Sequence, residues 1–269
     1  MMIIIAGPCV IDEKTIEIAL ELSSIYNRYA EYFEFYFKAS YDKANRSCLS
    51  SYRGPGIEKG LKILKSIKKR TSMNLTTDVH GVQEVDKAAL VVDMIQIPAL
   101  LSRQTDLLVA AGKCGRHVNI KKGQFAAPWD MANAVEKVEA GGCRQKIYVT
   151  ERGSSFGYNR LVVDMLSIPV LKQAGLTPLF DCTHSLQLPA AGLGCSASQP
   201  REYARTLALA ATAAGADGLF FEVYAEPDQA KCDGGNSIRL DSVSDLIQDV
   251  LEVKQAINRL RLHRPESER

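Results

Sequence analysis

The chain has almost no net charge, no long apolar run and no paired cysteines, and each absence removes a class of function. Its 33 lysines and arginines nearly balance its 31 aspartates and glutamates, leaving a formal charge of +2. Such a balance gives no global reason to expect nucleic acid or a membrane surface as a partner. No apolar stretch approaches the length needed to span a bilayer. The opening Met1-Met2-Ile3-Ile4-Ile5-Ala6-Gly7-Pro8 is broken too early to read as an export signal. The seven cysteines are odd in number and lack paired spacing, so they read as reduced thiols of a cytoplasmic protein. No linker, charge block or low-complexity segment divides the sequence. It reads as one domain over residues 1–262, with 263–269 as a frayed, charged tail.

What is present is a regular alternation. At 269 residues and 46% hydrophobic content the chain is long enough for a large single core. Short apolar runs at 3–6, 33–38, 74–78, 94–97, 117–121, 146–150, 178–181 and 218–223 predict strands. Each is followed by a helix-forming stretch, at 14–29, 57–70, 82–89, 104–111, 129–140, 161–174, 201–214 and 243–260. Eight strands and eight helices in strict alternation favour a single (β/α)8 TIM barrel, with an open doubly wound sheet as the alternative. In a barrel the loops after the strands build the active site.

Read at those strand ends, the sequence places chemistry on one rim. The second strand ends in Lys38-Ala39-Ser40-Tyr41-Asp42-Lys43-Ala44-Asn45-Arg46-Ser47. Three cations, serine hydroxyls and an amide within ten residues suit a phosphate, which needs both charge and neutral donors. Asp78, Gln96, Lys121, Arg152, His184 and Glu222 end or closely follow other strands. The five cations Lys38, Lys43, Arg46, Lys121 and Arg152 repel one another unless anions share the space, so two anionic groups are expected. The neighbouring lysines Lys122, Lys62, Lys65, Lys68 and Lys69 read as solvated surface.

A second subset is Cys9, His184, Glu222 and Asp233. Closure of the barrel makes the first, seventh and eighth strands neighbours, bringing these four together. A thiolate, an imidazole and two carboxylates suit a divalent transition metal such as Zn²⁺ or Fe²⁺. Each member also has a plainer reading. Cys9 as a small buried residue, His184 as a hydrogen-bonded rim histidine, Glu222 as a lysine partner and Asp233-Gly234 as a turn are the alternatives. Cys182 and Cys232 are rival thiols. His80 and His117 read as loop and strand-start residues.

The strings Ala6-Gly7-Pro8-Cys9, Lys38 to Ser47 as written above, Arg53-Gly54-Pro55-Gly56, Gln96-Ile97-Pro98-Ala99, Arg103-Gln104-Thr105-Asp106, Val118-Asn119-Ile120-Lys121-Lys122-Gly123-Gln124-Phe125 and Asp181-Cys182-Thr183-His184-Ser185 resemble the 3-deoxy-D-manno-octulosonate 8-phosphate synthase family. The resemblance spans residues 3–251. It implies a (β/α)8 barrel, the condensation of phosphoenolpyruvate with D-arabinose 5-phosphate, a role in lipopolysaccharide biosynthesis and a homotetramer. It implies that Lys43, Lys121 and Arg152 hold phosphoenolpyruvate, with Lys38, Ser40 and Gln96 close by. Asn45, Arg46 and Ser47 become the arabinose-phosphate clamp, Asp78 a holder of a sugar hydroxyl, and Arg103 a residue reaching a neighbouring subunit's site. A cysteine after Ala6-Gly7-Pro8 marks the family's metal-dependent branch. Cys9 thus implies Cys9, His184, Glu222 and Asp233 as ligands of Fe²⁺, Zn²⁺ or Mn²⁺, with Lys43, Lys121, Arg152, His184 and Asp233 as the catalytic set.

The chain departs from the family pattern in three places. Gly194-Cys195-Ser196-Ala197-Ser198-Gln199-Pro200-Arg201-Glu202 replaces a glycine-rich run, Tyr224-Ala225-Glu226-Pro227 replaces a His-Pro-Asp-Pro-like run, and Gly235 replaces a proline. These changes bear on loop closure and turnover more than on the reaction. Three alternatives stay open: a synthase using erythrose 4-phosphate, a Schiff-base aldolase with Lys38 or Lys121 as nucleophile, and a phosphosugar-binding barrel without catalysis.

Overall fold

The computed structural model describes residues 1–189 and 198–262. Numbering the barrel strands alone, β1 is Met2–Gly7, β2 Phe33–Lys38, β3 Asn74–Asp78, β4 Met94–Ile97, β5 His117–Lys121, β6 Ile147–Glu151, β7 Thr177–Asp181 and β8 Gly218–Tyr224. They pair in parallel in that order, and β8 closes on β1 with Ile3 opposite Gly218 and Gly7 opposite Glu222. The helices are α1 (Thr15–Tyr29), α2 (Ile57–Thr71), α3 (Val82–Ala89), α4 (Thr105–Lys113), α5 (Met131–Ala140), α6 (Ser167–Gln173), α7 (Tyr203–Ala214) and α8 (Val243–Leu262). The chain is a closed (β/α)8 barrel, as the alternation predicts. Among the described residues no helix is long and apolar enough to cross a membrane.

Strand alternation divides the core in two. Along β1, Ile3 and Ile5 point into the barrel, where they meet Tyr36, Met94, Tyr148, Leu179 and Phe220. Met2, Ile4 and Ala6 point out, into the layer the helices cover. The helices supply that layer from one face. In α2 the buried positions are Gly60, Leu61, Leu64 and Ile67, while Lys62, Lys65 and Lys69 stay exposed.

Gly7 sets how closely β1 and β2 approach at their catalytic ends. A Cβ there would lie 2.1 Å from the Lys38 carbonyl oxygen, so no side chain fits without moving one strand. That approach brings Cys9 and Lys38 together.

One predicted element begins late. The expected helix at 161–174 starts at Ser167, and its first residues instead form a hairpin of Ser154–Phe156 with Arg160–Val162. Leu161, Val162 and Val163 favour the extended chain, and Asp164 closes a turn just before the helix by accepting the Leu166 N–H at 2.9 Å. The expected tail at 263–269 and part of the atypical loop, 194–197, lie outside the described residues. Of the other departures, Tyr224 is buried and its hydroxyl donates to Asp12 at 2.8 Å.

Candidate active site

The strand-end loops surround a cavity of about 560 Å³. Lys38, Lys43, Asn45, Arg46, Ser47 and Asp78 line it. So do Gln96, Lys121, Arg152, His184 and Asp233. Ser40, Cys9 and Glu222 lie directly beneath, fully or almost fully buried. Arg103 is not among these residues. It is exposed just before α4 and lines a separate cavity of about 360 Å³ with Ser102, Asn133 and Lys137.

The rim's cations are less free than the sequence suggests. Lys38 Nζ lies 3.2 Å from Glu222 Oε1 and 3.8 Å from Asp78. Lys43 Nζ lies 3.5 Å from the same Asp78 oxygen. Lys121 pairs with Asp181 and sits 3.2 Å above the centre of the Phe220 ring. The protein therefore supplies part of the compensation that the sequence reading gave wholly to ligands. The two arginines differ: Arg46 meets the Cys232 sulfur, and Arg152, buried at 6% exposure, donates from its guanidinium to the neutral Gln187 amide at 2.8 Å. Among the described residues no carboxylate lies within ion-pairing distance of it. A buried guanidinium so placed is suited to a carboxylate or phosphate from a ligand.

Asp78 is held by a chain of hydrogen bonds across the sheet. Thr150 donates to Asn119 at 2.6 Å, Asn119 donates to Gln96 at 3.1 Å, and Gln96 donates to Asp78. Ser40 donates to the other Asp78 oxygen. Burial would raise the pKa of Asp78, but Lys38 and Lys43 outweigh it and hold the carboxyl well below the usual range. The loop after β2 is pinned at its base, where the Lys43 N–H donates to the Arg53 carbonyl at 2.7 Å and Arg53 pairs with Asp42.

Asp181, the last residue of β7, is a candidate positioning residue to which the strand-end pattern gives no role. It is fully buried, receives the backbone N–H of Thr183 and of His184, and contacts His184 Nδ1 and Lys121 through one carboxylate oxygen. Burial works against the imidazolium, but Asp181 overrides it and lifts His184 to about 10. Burial lowers Lys121 to about 8, with Asp181 offsetting part of the effect. Its place at the very end of β7 was the available signal.

The four proposed ligands converge. Cys9 Sγ is 3.3 Å from Asp233 Oδ2, and His184 Nε2 is 3.4 Å from Glu222 Oε1 and 3.6 Å from Asp233 Oδ2. Cys232, noted above as a rival thiol, joins them with its sulfur 2.9 Å from that of Cys9 and 2.7 Å from an Arg46 nitrogen. Asp233 is carried on a tight turn at φ 51°, whose carbonyl accepts from the Asn236 and Ser237 N–H groups. Gly234 follows because a Cβ there would sit 2.2 Å from the Pro227 carbonyl oxygen.

These residues fit a divalent cation. The second Glu222 oxygen is buried with no hydrogen-bond partner, an arrangement that costs free energy unless something positive meets it. Burial and the carboxylates of Asp233 and Glu222 push the Cys9 thiol up, so a cation is needed to hold a thiolate there. The donor set of sulfur, imidazole nitrogen and carboxylate oxygen suits a transition metal better than a hard ion.

Lys122 contradicts its sequence reading. It is fully buried, not solvated, and its ammonium donates to the carbonyls of Gly123, Ala126 and Gly153 and to Ser154 Oγ at 3.1–3.3 Å. Lys62, Lys65 and Lys69 are exposed, whereas Lys68 is half-buried and pairs with Asp93 at 2.6 Å. His117 Nδ1 accepts the Lys146 N–H, a structural role, but His80 lines the cavity beside Asp78.

Comparison with known proteins agrees with this geometry. The DAHP synthetase I family matches residues 1–259. The chain is 50% identical over 252 residues to the 2-dehydro-3-deoxyphosphooctonate aldolase of Syntrophotalea carbinolica, covering 93% of this chain and 90% of that one. It is 49% identical over 257 residues to the protein of that name from a Geobacter species, strain M21, covering 95% and 93%. It is 48% identical over 258 residues to that of Desulfotalea psychrophila, covering 95% and 91%. With a converging polar rim and kinship over nearly its whole length, the chain belongs to the DAHP synthetase I family, on its 2-dehydro-3-deoxyphosphooctonate aldolase branch.

Proposed function

We infer that the protein condenses phosphoenolpyruvate with D-arabinose 5-phosphate and water, giving 3-deoxy-D-manno-octulosonate 8-phosphate and inorganic phosphate. One observation carries the reading: identity near one half, over more than nine-tenths of the chain, to proteins named 2-dehydro-3-deoxyphosphooctonate aldolase. The rim agrees with it, since the two substrates bring two phosphates and a carboxylate to the buried cations.

The bond-forming step joins C3 of the enol phosphate to the aldehyde carbon. The aldehyde oxygen takes up a proton, water adds at C2 and gives one up, and the hemiketal expels phosphate to leave the 2-keto acid. Two anions that repel in water must first be aligned. Lys43, Lys121 and Arg152 are the residues we assign to phosphoenolpyruvate, with Arg152 as the buried cation that has no carboxylate partner among the described residues. Asn45, Arg46 and Ser47 are assigned to the sugar phosphate and Asp78 to a sugar hydroxyl. Holding both substrates against a cationic, largely buried floor replaces the entropy of encounter and the shielding of water.

Cys9, His184, Glu222 and Asp233 would hold Fe²⁺, Zn²⁺ or Mn²⁺, with Asp181 fixing the His184 ring from behind. When bound, such an ion polarises an oxygen and lowers the pKa of a coordinated water. The chain's own part is to keep that corner buried and to set the His184 tautomer.

The proposal extends to a homotetramer in which Arg103 enters a neighbouring subunit's site, supported by its exposure outside its own chain's catalytic cavity. It also extends to a cytoplasmic location, supported by the six described cysteines being free thiols.

The test is phosphate release with phosphoenolpyruvate and either arabinose 5-phosphate or erythrose 4-phosphate. Release with the five-carbon sugar alone is expected. Release with erythrose 4-phosphate alone would overturn the reading, and binding of both substrates without release would favour a non-catalytic barrel. Borohydride trapping of a substrate–lysine adduct would favour the Schiff-base alternative.

A further inference from the structure

Lys122 is a buried charge that the reaction as described does not use. It follows Lys121 directly, yet strand alternation sends the two side chains apart. Lys121 enters the cavity, while Lys122 turns into the seam between the loops after β5 and β6. Its ammonium joins the two loops. On one side it donates to the carbonyls of Gly123 at 3.3 Å and Ala126 at 3.1 Å. On the other it donates to the Gly153 carbonyl at 3.3 Å and Ser154 Oγ at 3.2 Å. It also lies 3.5 Å from Glu151 Oε1, the oxygen that receives the backbone N–H of Arg152 at 2.9 Å and of Gly153 at 2.6 Å. The Arg152 N–H and both backbone polar groups of Gly153 are thus tied, directly or through Glu151, to one nitrogen.

Arg152 needs such support. Its guanidinium has one neutral hydrogen-bond partner among the described side chains, so side-chain pairing does little to fix its direction. Its backbone must fix it instead. We propose that Lys122 is a positioning residue for catalysis: with Glu151 it clamps the β5 and β6 loops together and thereby aims Arg152 at the anionic end of phosphoenolpyruvate. This rests on the function proposed above. Lys122 does not line the cavity, so it acts through the loops it joins, and the route proposed runs through Arg152.

The experiment is steady-state kinetics of Lys122→Met, which keeps the length of the side chain and removes its charge and donors, with arabinose 5-phosphate and phosphoenolpyruvate varied in turn. The KM for phosphoenolpyruvate should rise by roughly tenfold or more, because small misplacements of a positioning group cost that much. The KM for arabinose 5-phosphate should change by less than about twofold. In an Arg152→Lys background the same Lys122 change should add almost nothing, since its target is already lost. Equal rises in both KM values, a fall in melting temperature with unchanged kinetics, or additive effects in the double variant would overturn the proposal. Should Lys122→Met not fold, Glu151→Gln carries the same comparison from the other end of the clamp, with the same outcomes deciding. Phosphate release by the unaltered protein is measured alongside, so failure of the functional reading is separable from failure of this one.

Discussion

Asp181 and His184 are joined twice: imidazole Nδ1 lies 2.8 Å from one carboxylate oxygen, and the His184 backbone N–H donates to the other at 2.8 Å. The ring cannot rotate without breaking the first contact, and the loop cannot shift without breaking the second. Nε2 therefore faces Glu222 and Asp233. Asp181→Asn keeps the size and removes the charge. It should weaken divalent-metal affinity by roughly 10–100-fold, the usual cost of losing a partner behind a metal-binding histidine. Competition with a chromophoric chelator measures this, and an unchanged dissociation constant would contradict the assignment.

The pH profile should carry the signature of Lys121. Burial holds it near 8, below an ordinary lysine. Below that value the ammonium is charged and can meet an anionic substrate; above it the charge is lost. The kcat/KM for phosphoenolpyruvate should therefore fall as pH rises through about 8. Arabinose 5-phosphate, assigned above to Asn45, Arg46 and Ser47, should show a shallower fall. Lys121→Met should lower activity throughout and flatten the alkaline limb; a limb that persists unchanged belongs to another group.

Removing metal tests the cluster around Cys9. Chelator treatment should abolish most phosphate release, and Fe²⁺, Zn²⁺ or Mn²⁺ should restore it in the unaltered protein. Cys9→Ala should be inactive and stay so when the same ions are added. Full activity of the stripped protein, checked by elemental analysis, would remove the metal from the mechanism.

The two arginines separate by position. Arg46→Ala should raise the KM for arabinose 5-phosphate several-fold more than that for phosphoenolpyruvate, and equal effects would reassign it. Arg103→Ala should impair catalysis only through an assembled neighbour. Mixing it with the inactive Cys9→Ala protein under subunit exchange should restore some activity, because hybrid assemblies contain complete sites. No recovery, or a monomer by light scattering, would confine Arg103 to its own chain.

Much of this was legible in the sequence because a barrel repeats itself. Eight apolar runs, each ended by polar groups, locate the rim without any three-dimensional information, and the run from Lys38 to Ser47 is dense enough to mark its phosphate sector. The rest depends on where side chains turn after leaving a strand. Lys121 and Lys122 are identical neighbours on paper, and only the loop path shows that one faces the cavity and the other is sealed in a seam. Asp181 reads as one more rim carboxylate until its backbone contacts reveal what it steers. The hairpin at 154–162 was hidden by a helix-like run of apolar residues that an aspartate at 164 interrupts.

The turn at Asp233 limits how this corner can change. Its positive φ suits glycine, asparagine and aspartate and penalises nearly everything else. Glutamate, the obvious way to keep a carboxylate, would cost about 1–2 kcal/mol at this φ before its extra length is counted. The replacement the loop would accept while keeping an oxygen in place is asparagine, which gives up the charge. At this position, then, mutation can dim the electrostatics of the site but has little freedom to move the donor, so drift here would show first as a loss of negative charge at the Cys9 corner in an otherwise intact barrel.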